Sequence, residues 1–475
     1  MPPARLSVLS QEQRLAIHEA SLRLLARTGV HVPVAAVRAL LADAGGRVEG
    51  ERVRISERLV QQALASLQPV TLHNRLGQPV MPLAEGRVTF GALVDTFYVV
   101  DGQSRRVRPF VLDDQARLAR LLDGLPRIDW VQVVGQAHDV PEALQTQLAF
   151  ARTIGATTKP ILVYPYDRRG LLDLLDLAYL VAGGEAAFRA RPFVFCASVP
   201  AAPLSGTAYN LELLLTCAER GVPVVYYNCP AMGGNSPADL AGTLALANAD
   251  WLAGLVIHQL RQPGAPFCTA GFTVQLMDMR TTLWAYCAPE SQMAYAAVAD
   301  LAHGYGLPAF GLEANCDTPR LDAQAGVEMA SNCLWGLLSG VELVHNTGMI
   351  GGGKLVAGEA FVLANEVIDY ASRAVEMPDF SAARLMQAVD LIDAVGPHAE
   401  YVSLEHTLEH FKSFWYPEVF DRSNFDPRGG QTPDALADRL HARAQQIVSE
   451  HEPAALQPEL AEEMQSIETA WRSRV

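Results

Sequence analysis

Two stretches in the middle of the chain, Pro192-Phe-Val-Phe-Cys-Ala-Ser-Val199 and Pro223-Val-Val-Tyr-Tyr-Asn228, decide the fold. Each is a short, nearly continuous apolar run, and a helical pattern separates the two. Such runs are typical of parallel strands that helices cover on both faces. Similar runs on either side predict eight strands, near residues 88–94, 130–135, 160–166, 192–199, 223–228, 266–272, 308–313 and 341–346. Because helical patterns alternate with these strands, they indicate βαβ units, and eight units favour a closed barrel.

The segments outside this alternation are typical of helices. Ser10 and Gln13 have the capping-box pattern, and apolar residues recur at helical spacing through residues 10–28, 34–44 and 56–66. After about Arg373 the pattern is helical and polar to the end. We therefore predict an α/β fold, a (β/α)8 TIM barrel (residues 83–375), with an N-terminal helical appendage (1–82) and a C-terminal helical extension (376–475). The turn pattern at Val99-Val100-Asp101-Gly102 predicts a hairpin close to the first strand.

Composition excludes several classes of protein. The 475 residues are 50% hydrophobic and 19% charged, with a net charge of -15. An acidic surface repels nucleic acid. No apolar run reaches the roughly 18 residues of a membrane span, and no signal peptide is visible. Seven cysteines are scattered and never spaced C-x-x-C, which predicts reduced thiols, a cytoplasmic protein and no zinc ribbon. Self-association is left open.

The predicted strand ends supply the candidate site, because barrel enzymes build their sites there. The residues at these ends are mostly aromatic or neutral and polar. Aromatic faces with few polar anchors suit a methylated ammonium ion, which they attract by cation–π interaction. The alternative is that these tyrosines only pack the barrel rim, and that His345 points outward, since its register is not fixed. The substrate-binding candidates are Tyr98, Tyr164, Tyr227, Asn228, Phe272, Glu313 and His345, and no residue is assigned a catalytic role.

Two motifs have weaker interpretations. His406-Thr-Leu-Glu409-His410 matches H-x-x-E-H, a zinc-binding pattern, but it follows the barrel and lacks a third ligand, so we expect no bound metal. Gly348-Met-Ile-Gly351-Gly352-Gly353-Lys354 resembles a P-loop, but Leu355 replaces the required Ser or Thr. After the eighth strand, these glycines predict a loop at the barrel mouth that either approaches a polar group closely or makes a tight turn.

Several segments in order resemble the trimethylamine-methyltransferase-like family. They are Leu9 to His18 with Ala26 to Val30, Asp101-Gly102 with Arg106 to Pro109, Asp317 to Gly326, Gly340 to Gly353, and His406 to Phe411 with Asp421-Arg422. The resemblance implies a (β/α)8 barrel that transfers a methyl group to the Co(I) corrinoid (cobalamin) of a carrier protein. Founding members have pyrrolysine near the position of Asn315 to Thr318, where this chain has ordinary residues. It thus resembles the non-pyrrolysine branch, which acts on quaternary amines such as glycine betaine.

The chemistry of the candidate residues agrees with that branch. A tetraalkylammonium ion leaves as a neutral amine, so no general acid is required, and the protein has only to hold the cation and exclude water. In this hypothesis Tyr98, Tyr164, Tyr227 and Phe272 form a cage. His345, with Asn228 or the loop from Gly348, holds a substrate carboxylate. Two alternatives remain open: a quaternary-amine binding protein without transfer activity, and a barrel enzyme for a phosphorylated small molecule.

Overall fold

The computed structural model describes residues 4–83, 87–92, 96–133, 136–200, 203–271, 273–312, 314–424 and 435–474. The region before the barrel contains three helices at the predicted places. It also contains short strands that periodicity did not predict, because each is only two to five residues long. In chain order its elements are α1 (Gln11–Arg27), β1 (Val30–His31), α2 (Ala35–Asp43), β2 (Arg47–Glu49), β3 (Arg52–Arg54), α3 (Glu57–Ala65), β4 (Val70–His73) and β5 (Pro79–Leu83).

The next region alternates strands with helices, as predicted. Its elements are β6 (Thr89–Ala92), β7 (Tyr98–Val100), β8 (Val107–Pro109), α4 (Leu112–Asp123), β9 (Trp130–Gln132), α5 (Gln145–Ala156), β10 (Ile161–Val163), α6 (Arg168–Ala182), α7 (Glu185–Ala190), β11 (Val194–Ser198), α8 (Ala208–Arg220), β12 (Val224–Tyr226), β13 (Ala231–Met232), α9 (Leu240–Arg261), β14 (Ala270–Gly271), β15 (Gln275–Asp278), β16 (Leu283–Ala285), α10 (Pro289–Gly304), β17 (Ala309–Gly311), α11 (Ala323–Ser339), β18 (Leu343–Thr347), β19 (Leu355–Val356) and α12 (Gly358–Val375).

Eight of these strands form the barrel. They pair in parallel in the order β12-β11-β10-β9-β6-β18-β17-β14. The two ends of this sheet meet, since the Val224 amide donates to the Pro266 carbonyl (3.2 Å) and the Cys268 amide donates to the Val224 carbonyl (2.8 Å). Each barrel strand lies within a predicted run, apart from one residue at the end of β18, which confirms the α/β-barrel fold. The predicted hairpin is also present, as β7 pairs antiparallel with β8.

The β4–β5 hairpin closes one end of the barrel. Its buried side chains, which include Leu72 and Met81, belong to the same apolar cluster as the interior residues Trp130, Phe195 and Leu343. Because Leu343 begins the eighth strand, the hairpin lies toward the amino ends of the strands. This arrangement leaves the opposite end, at the carboxyl ends, for a site.

The outer helices pack on the barrel at both termini of the chain. Near the N-terminus, Asp300 of α10 accepts hydrogen bonds from the amides of Val8 and Leu9, both at 2.7 Å. After α12 follow α13 (Ala382–Val395), α14 (Glu405–His410), α15 (Leu436–Glu450) and α16 (Pro458–Arg472). Helix α15 packs on α12 and α4, and α16 packs on α5 and α6. Helix α13 differs from the polar extension that we predicted: it is largely apolar, yet none of its residues is buried.

Helix α9 is long and apolar enough to span a membrane by length and composition. It lies inside the protein instead, with 78% of its most apolar stretch buried, and it packs against α1 and α3. Among the described residues it alone meets the length and hydropathy criteria. Its composition is that of a core helix buried on nearly all sides.

Candidate active site at the barrel mouth

The alternation of side chains along a strand sets which candidates point into the barrel. Leu162, Val225 and Leu343 belong to the interior cluster. Side chains two residues further along a strand lie on the same face. Tyr164 and Tyr227 therefore follow their strands on the interior side, and His345 does so within β18. The structure thus brings together three of the predicted site residues, and the inward register of His345 is now fixed.

These side chains form an aromatic cluster, which we call the mouth cluster, consisting of Tyr164, Tyr227, Phe310 and His345. The ring of Tyr227 lies 4.6 Å from that of Phe310 and 5.5 Å from that of His345. Phe310 and His345 stack at 4.3 Å with an interplanar angle of 21°. The hydroxyls of Tyr164 and Tyr227 are 3.1 Å apart and hydrogen-bonded. The four members include no carboxylate, lysine or arginine, so the cluster is aromatic and has no formally charged group unless its histidine is protonated.

His345 is held neutral within the cluster. Its Nδ1–H donates to the carbonyl of Gly311 at 2.7 Å, which leaves Nε2 as an acceptor. Complete burial lowers the pKa of His345 to about 4, because the imidazolium cannot be solvated there. A neutral imidazole that donates through Nδ1 has no N–H left for a carboxylate. The structure therefore argues against the predicted role of His345 as the carboxylate anchor, although it keeps the residue in the site.

Asn228 turns away from the barrel interior. It follows Tyr227 by one residue, so alternation places it on the outer side, and its Nδ2 donates to the Ala247 carbonyl (3.0 Å) and the Asp250 carboxylate (2.6 Å) of α9. Burial raises the pKa of Asp250 to about 7, opposed by the hydrogen bond from Asn228. Asn228 thus joins strand β12 to α9, and its amide nitrogen is not available to a ligand in the barrel.

The remaining candidates lie apart from the mouth cluster or outside the described residues. Tyr98 belongs to a small sheet with β8 and β19, its ring lies 6.3 Å from that of His138 at an interplanar angle of 36°, and it is 45% exposed. It is not among the rings that surround Tyr227. Phe272 and Glu313 both lie outside the described residues, and their places in the site stay predictions.

The glycine loop packs against the loop that follows the seventh strand. Gly348, Gly351, Gly352 and Gly353 all have positive φ, and a Cβ on Gly348 would lie 2.4 Å from the Phe361 ring. The amides of Gly348, Gly351 and Gly353 donate to the carbonyls of Ala314, Thr318 and Ile350. Because these amides are already used inside the protein, a tight turn fits the loop better than an anion-binding site. This finding counts against a phosphorylated substrate held there.

The loop at residues 314–318 contains a buried polar side chain that was not among the substrate-binding candidates. Asn315 is fully buried, and its Oδ1 accepts hydrogen bonds from Asn332 Nδ2 (3.1 Å) and Cys287 Sγ (3.1 Å). Its Nδ2 has no hydrogen-bond partner among the described residues. Thr347 at the end of the eighth strand is likewise buried, and its hydroxyl is unpaired within the same residues. Buried polar groups are normally satisfied, so both groups are suited to a polar ligand or water.

Phe310 is the other site residue that the sequence did not single out. It lies inside a predicted strand, whereas our selection took only residues at strand ends. Phe310 could be identified only if the inward face of its strand were known, and the nearly continuous apolar sequence of that strand does not show which face points inward.

A cleft opens beside the mouth. It has a volume of about 630 Å³ and lies between the β15–β16 hairpin and the glycine loop, where Trp284, Tyr286, Asp317, Gly352 and Lys354 line it. Asp317 holds the base of the hairpin in place, because its carboxylate accepts from the amides of Tyr286 (3.1 Å) and Cys287 (3.0 Å). The cleft thus lies between two elements that follow the carboxyl ends of the strands, and none of the four residues of the mouth cluster lines it.

The H-x-x-E-H segment has a local structural role in α14. His410 donates through Nδ1 to the His406 carbonyl (2.8 Å), and its Nε2 accepts from Arg384 of α13 (3.0 Å). Both nitrogens of His410 are therefore occupied. Within the described ranges, no three His, Cys, Asp or Glu side chains are grouped so as to hold a metal ion.

The closed barrel and an uncharged aromatic cluster at the carboxyl ends of its strands define an α/β-barrel enzyme. The chain belongs to the trimethylamine methyltransferase (MTTB) family, whose model matches residues 2–472, and it is a methyltransferase of that family. It is 27% identical over 466 residues to the glycine betaine methyltransferase of Desulfitobacterium hafniense strain Y51, covering 97% of this chain and 96% of that one.

Other relatives are similar at the same level. Trimethylamine methyltransferase MttB of Desulfitobacterium hafniense strain DSM 10664 / DCB-2 is 27% identical (97% and 93% covered), and MttB of Methanosarcina thermophila is 26% identical (97% and 96%). Among solved structures, the hydroxylamine complex of MtmB has a TM-score of 0.56 at 10% identity (95% and 90% covered). The Methanosarcina barkeri monomethylamine methyltransferase MtmB has a TM-score of 0.56 at 11% identity (94% and 88%). These structures share the fold.

Proposed function

We propose that this protein transfers a methyl group from a small quaternary amine, glycine betaine or a similar betaine, to the Co(I) corrinoid of a separate carrier protein. The observation that carries the proposal is the mouth cluster. Tyr164, Tyr227, Phe310 and His345 supply ring faces without a charged side chain. A quaternary ammonium cannot donate hydrogen bonds, so ring faces are the favourable surroundings for it.

The neutral state of His345 supports this substrate class. An imidazolium 5.5 Å from the Tyr227 ring would repel an ammonium ion in the same pocket. Burial lowers the pKa of His345 to about 4, which keeps the ring uncharged at neutral pH. The His345 ring then adds to the aromatic wall.

The substrate carboxylate needs a hydrogen-bond donor, and we assign that role to Asn315. Its Nδ2 is buried without a partner in the described part of the chain, while its Oδ1 is fixed by Asn332 and Cys287. The hydroxyl of Thr347 is a second such donor. A betaine bound between the rings and these donors would satisfy both buried groups.

The residues of the mouth hold and orient the substrate and exclude water; none is required to move a proton. A quaternary amine departs as a neutral tertiary amine, whereas trimethylamine must first be activated. Residues 315–318, near the position of pyrrolysine in the founding members, are the ordinary Asn, Cys, Asp and Thr. Reduced cobalt, when the carrier brings it to the mouth, supplies the nucleophile. Catalysis by the chain itself is then mainly orientation of one methyl group.

The decisive measurement compares glycine betaine with trimethylamine as methyl donors to reduced cobalamin or a reduced corrinoid carrier, followed by the loss of the Co(I) absorbance. We expect a betaine to react and trimethylamine not to. Calorimetric titration of the protein alone with the same compounds separates binding from transfer. Transfer from trimethylamine as fast as from every quaternary amine would contradict the proposal, and betaine binding without transfer would favour the binding-protein alternative.

A further inference from the structure

The segment that follows α12 exposes unusually many apolar side chains to solvent. We call residues 376–416, which include α13 and α14, the arm. Twelve exposed large apolar side chains of the described chain lie between residues 377 and 416, among them Phe380 (62% exposed), Leu385, Val389, Phe414 (68%) and Tyr416 (78%). Single exposed apolar residues are normal on surfaces, but twelve within one segment of 40 residues mark this segment as a candidate interaction site.

In a single copy of the chain, the described residues fully cover none of the apolar side chains of helix α13. Ten of its fourteen residues are apolar, in the sequence AARLMQAVDLIDAV, and none is buried. Its polar residues recur at every third position from Arg384 to Asp393 and so share one side of the helix, whereas the apolar side that carries Leu385 and Val389 is about half exposed. An isolated helix of about 14 residues is only marginally stable in water, so this one requires a surface that covers it.

The arm is nevertheless fixed at both of its ends. At its start, Arg373 donates to the Ser413 carbonyl (3.0 Å). At its end, Trp415 Nε1 donates to Asp369 (2.6 Å), and the Glu366 carboxylate accepts from the amides of Glu418 and Val419 at 3.0 and 3.1 Å. Both carboxylates belong to α12, so the arm is a loop of defined position.

The arm lies on the face of the barrel opposite the mouth. Helix α12 begins after the glycine loop at the carboxyl ends of the strands and runs back toward their amino ends. The side chains of Asn365 and Asp369 in α12 accept from the amide and the guanidinium of Arg127, which precedes the strand β9. A methyl acceptor must reach the mouth, so the arm is on the wrong face to receive it.

A second copy of this chain fits the arm best. Twelve apolar side chains that are each about half exposed present roughly 1,000 Å² of apolar surface to solvent. This figure assumes that each exposes about half of the area that a large apolar side chain can bury. A stable interface needs about 800 Å² from each partner. A permanent interface is also core-like in composition, whereas a transient one is more polar, and α13 has the composition of a core.

We infer that the arm binds the same arm of a second copy of this chain, with α13 at the centre of a two-fold interface. This inference does not depend on the substrate or on the methyl acceptor. A self-complementary apolar surface is what a two-fold axis requires, because each arm then covers the other.

The test is the mass of the full-length chain in solution, by sedimentation velocity and native mass spectrometry at micromolar concentration. We expect at least twice the chain mass of 51.4 kDa. The double variant Leu385→Asp/Val389→Asp should halve that mass, raising the dissociation constant at least about 100-fold, because it places charges in an apolar interface. Leu385→Ala/Val389→Ala should raise it about tenfold or more.

The matched control is Met279→Asp/Leu283→Asp, which changes two exposed apolar side chains on the β15–β16 hairpin at the mouth. It should leave the mass unchanged. Because no residue of α13 is buried, the arm variants should keep the circular dichroism spectrum of the folded barrel. A monomeric wild type, arm variants with the mass of the wild type, or loss of association only in the hairpin variant would each overturn the inference.

Discussion

Tyr227 is at the centre of the mouth cluster, between the hydroxyl of Tyr164 and the rings of Phe310 and His345. Its place follows from the alternation of side chains between the two faces of a strand. Val225 belongs to the barrel interior, so Tyr227 does as well, while Asn228 turns to α9. At this scale function depends on which face of a strand a side chain occupies.

Removal of the Tyr227 ring tests the cage directly. Tyr227→Ala should raise the dissociation constant of glycine betaine about 5- to 30-fold, because a ring face contributes about 1–2 kcal/mol in a desolvated cation site. Tyr98→Ala is the matched control: Tyr98 is 45% exposed and outside the mouth cluster, so its loss should change binding less than threefold. Calorimetry with betaine measures both. Equal effects of the two substitutions would restore Tyr98 to the cage and contradict its exclusion from the mouth cluster.

The buried imidazole of His345 predicts a pH dependence of stability. Its pKa falls to about 4 in the native protein, from 6.5 in the unfolded chain, so the unfolded state binds the extra proton between these values. Stability from this residue is therefore present above pH 6.5 and is lost as the pH falls toward 4. Between pH 7 and pH 5 the wild type should lose about 2 kcal/mol more unfolding free energy than His345→Asn.

Urea unfolding of both proteins at the two pH values provides the measurement. Subtracting the variant removes the contribution of other titrating groups, including Asp250, whose raised pKa acts in the opposite direction. Parallel losses in the two proteins would mean that His345 is not held neutral.

At the scale of elements, the β4–β5 hairpin has a purely structural function. Leu72 is fully buried against the barrel interior, at the end opposite the mouth. Leu72→Ala should lower the unfolding free energy by about 3 kcal/mol, since it opens a cavity among packed side chains. Leu76→Ala, in the turn of the same hairpin and 54% exposed, should change it by less than about 0.5 kcal/mol.

Denaturant titration measures both effects. The affinity for betaine at low temperature should be the same in the two variants, because the hairpin lies at the amino ends of the strands, opposite the mouth cluster. A large loss of affinity in Leu72→Ala with intact folding would show that the two ends of the barrel are coupled.

At the scale of the whole molecule, the two ends of the barrel have different tasks. The carboxyl ends carry the mouth cluster and the adjoining cleft, and the amino ends carry the hairpin and the arm. Helices from both ends of the sequence pack around the same core, with Trp471 of the last helix buried. We expect the 1–82 and 376–475 segments to unfold together with the barrel.

The reactivity of the cysteine thiols can test whether all parts of the chain unfold together. Six of the seven are buried, and only Cys229 is partly accessible, where burial raises its pKa to about 11. In the native protein we expect slow reaction of at most about one thiol with an aromatic disulfide reagent, because the thiolate is the reactive form. All seven should become reactive in the same denaturant range in which circular dichroism and tryptophan fluorescence change. Thiols that react well before that transition would indicate a separately unfolding part.

The sequence by itself determined the eight strands, the helices before and after them, and the family, because apolar runs and helical spacing are local properties of the chain. Tyr164 and Tyr227 were identifiable from the barrel rule alone, since a strand end is visible in the sequence. The tertiary structure decided which of these side chains come into contact, because the rings of Tyr227, Phe310 and His345 come from three different strands of the barrel.

The tertiary structure also decided what the polar candidates do. Asn228 is used by α9, the glycine amides are used by the neighbouring loop, and His345 is neutral because it is buried. Each of these outcomes depends on a hydrogen-bond partner or on exclusion of water, and neither is encoded near the residue itself. The exposure of α13 is of the same kind: its apolar sequence is visible at once, but only the packed molecule leaves it on the outside, on the face away from the mouth.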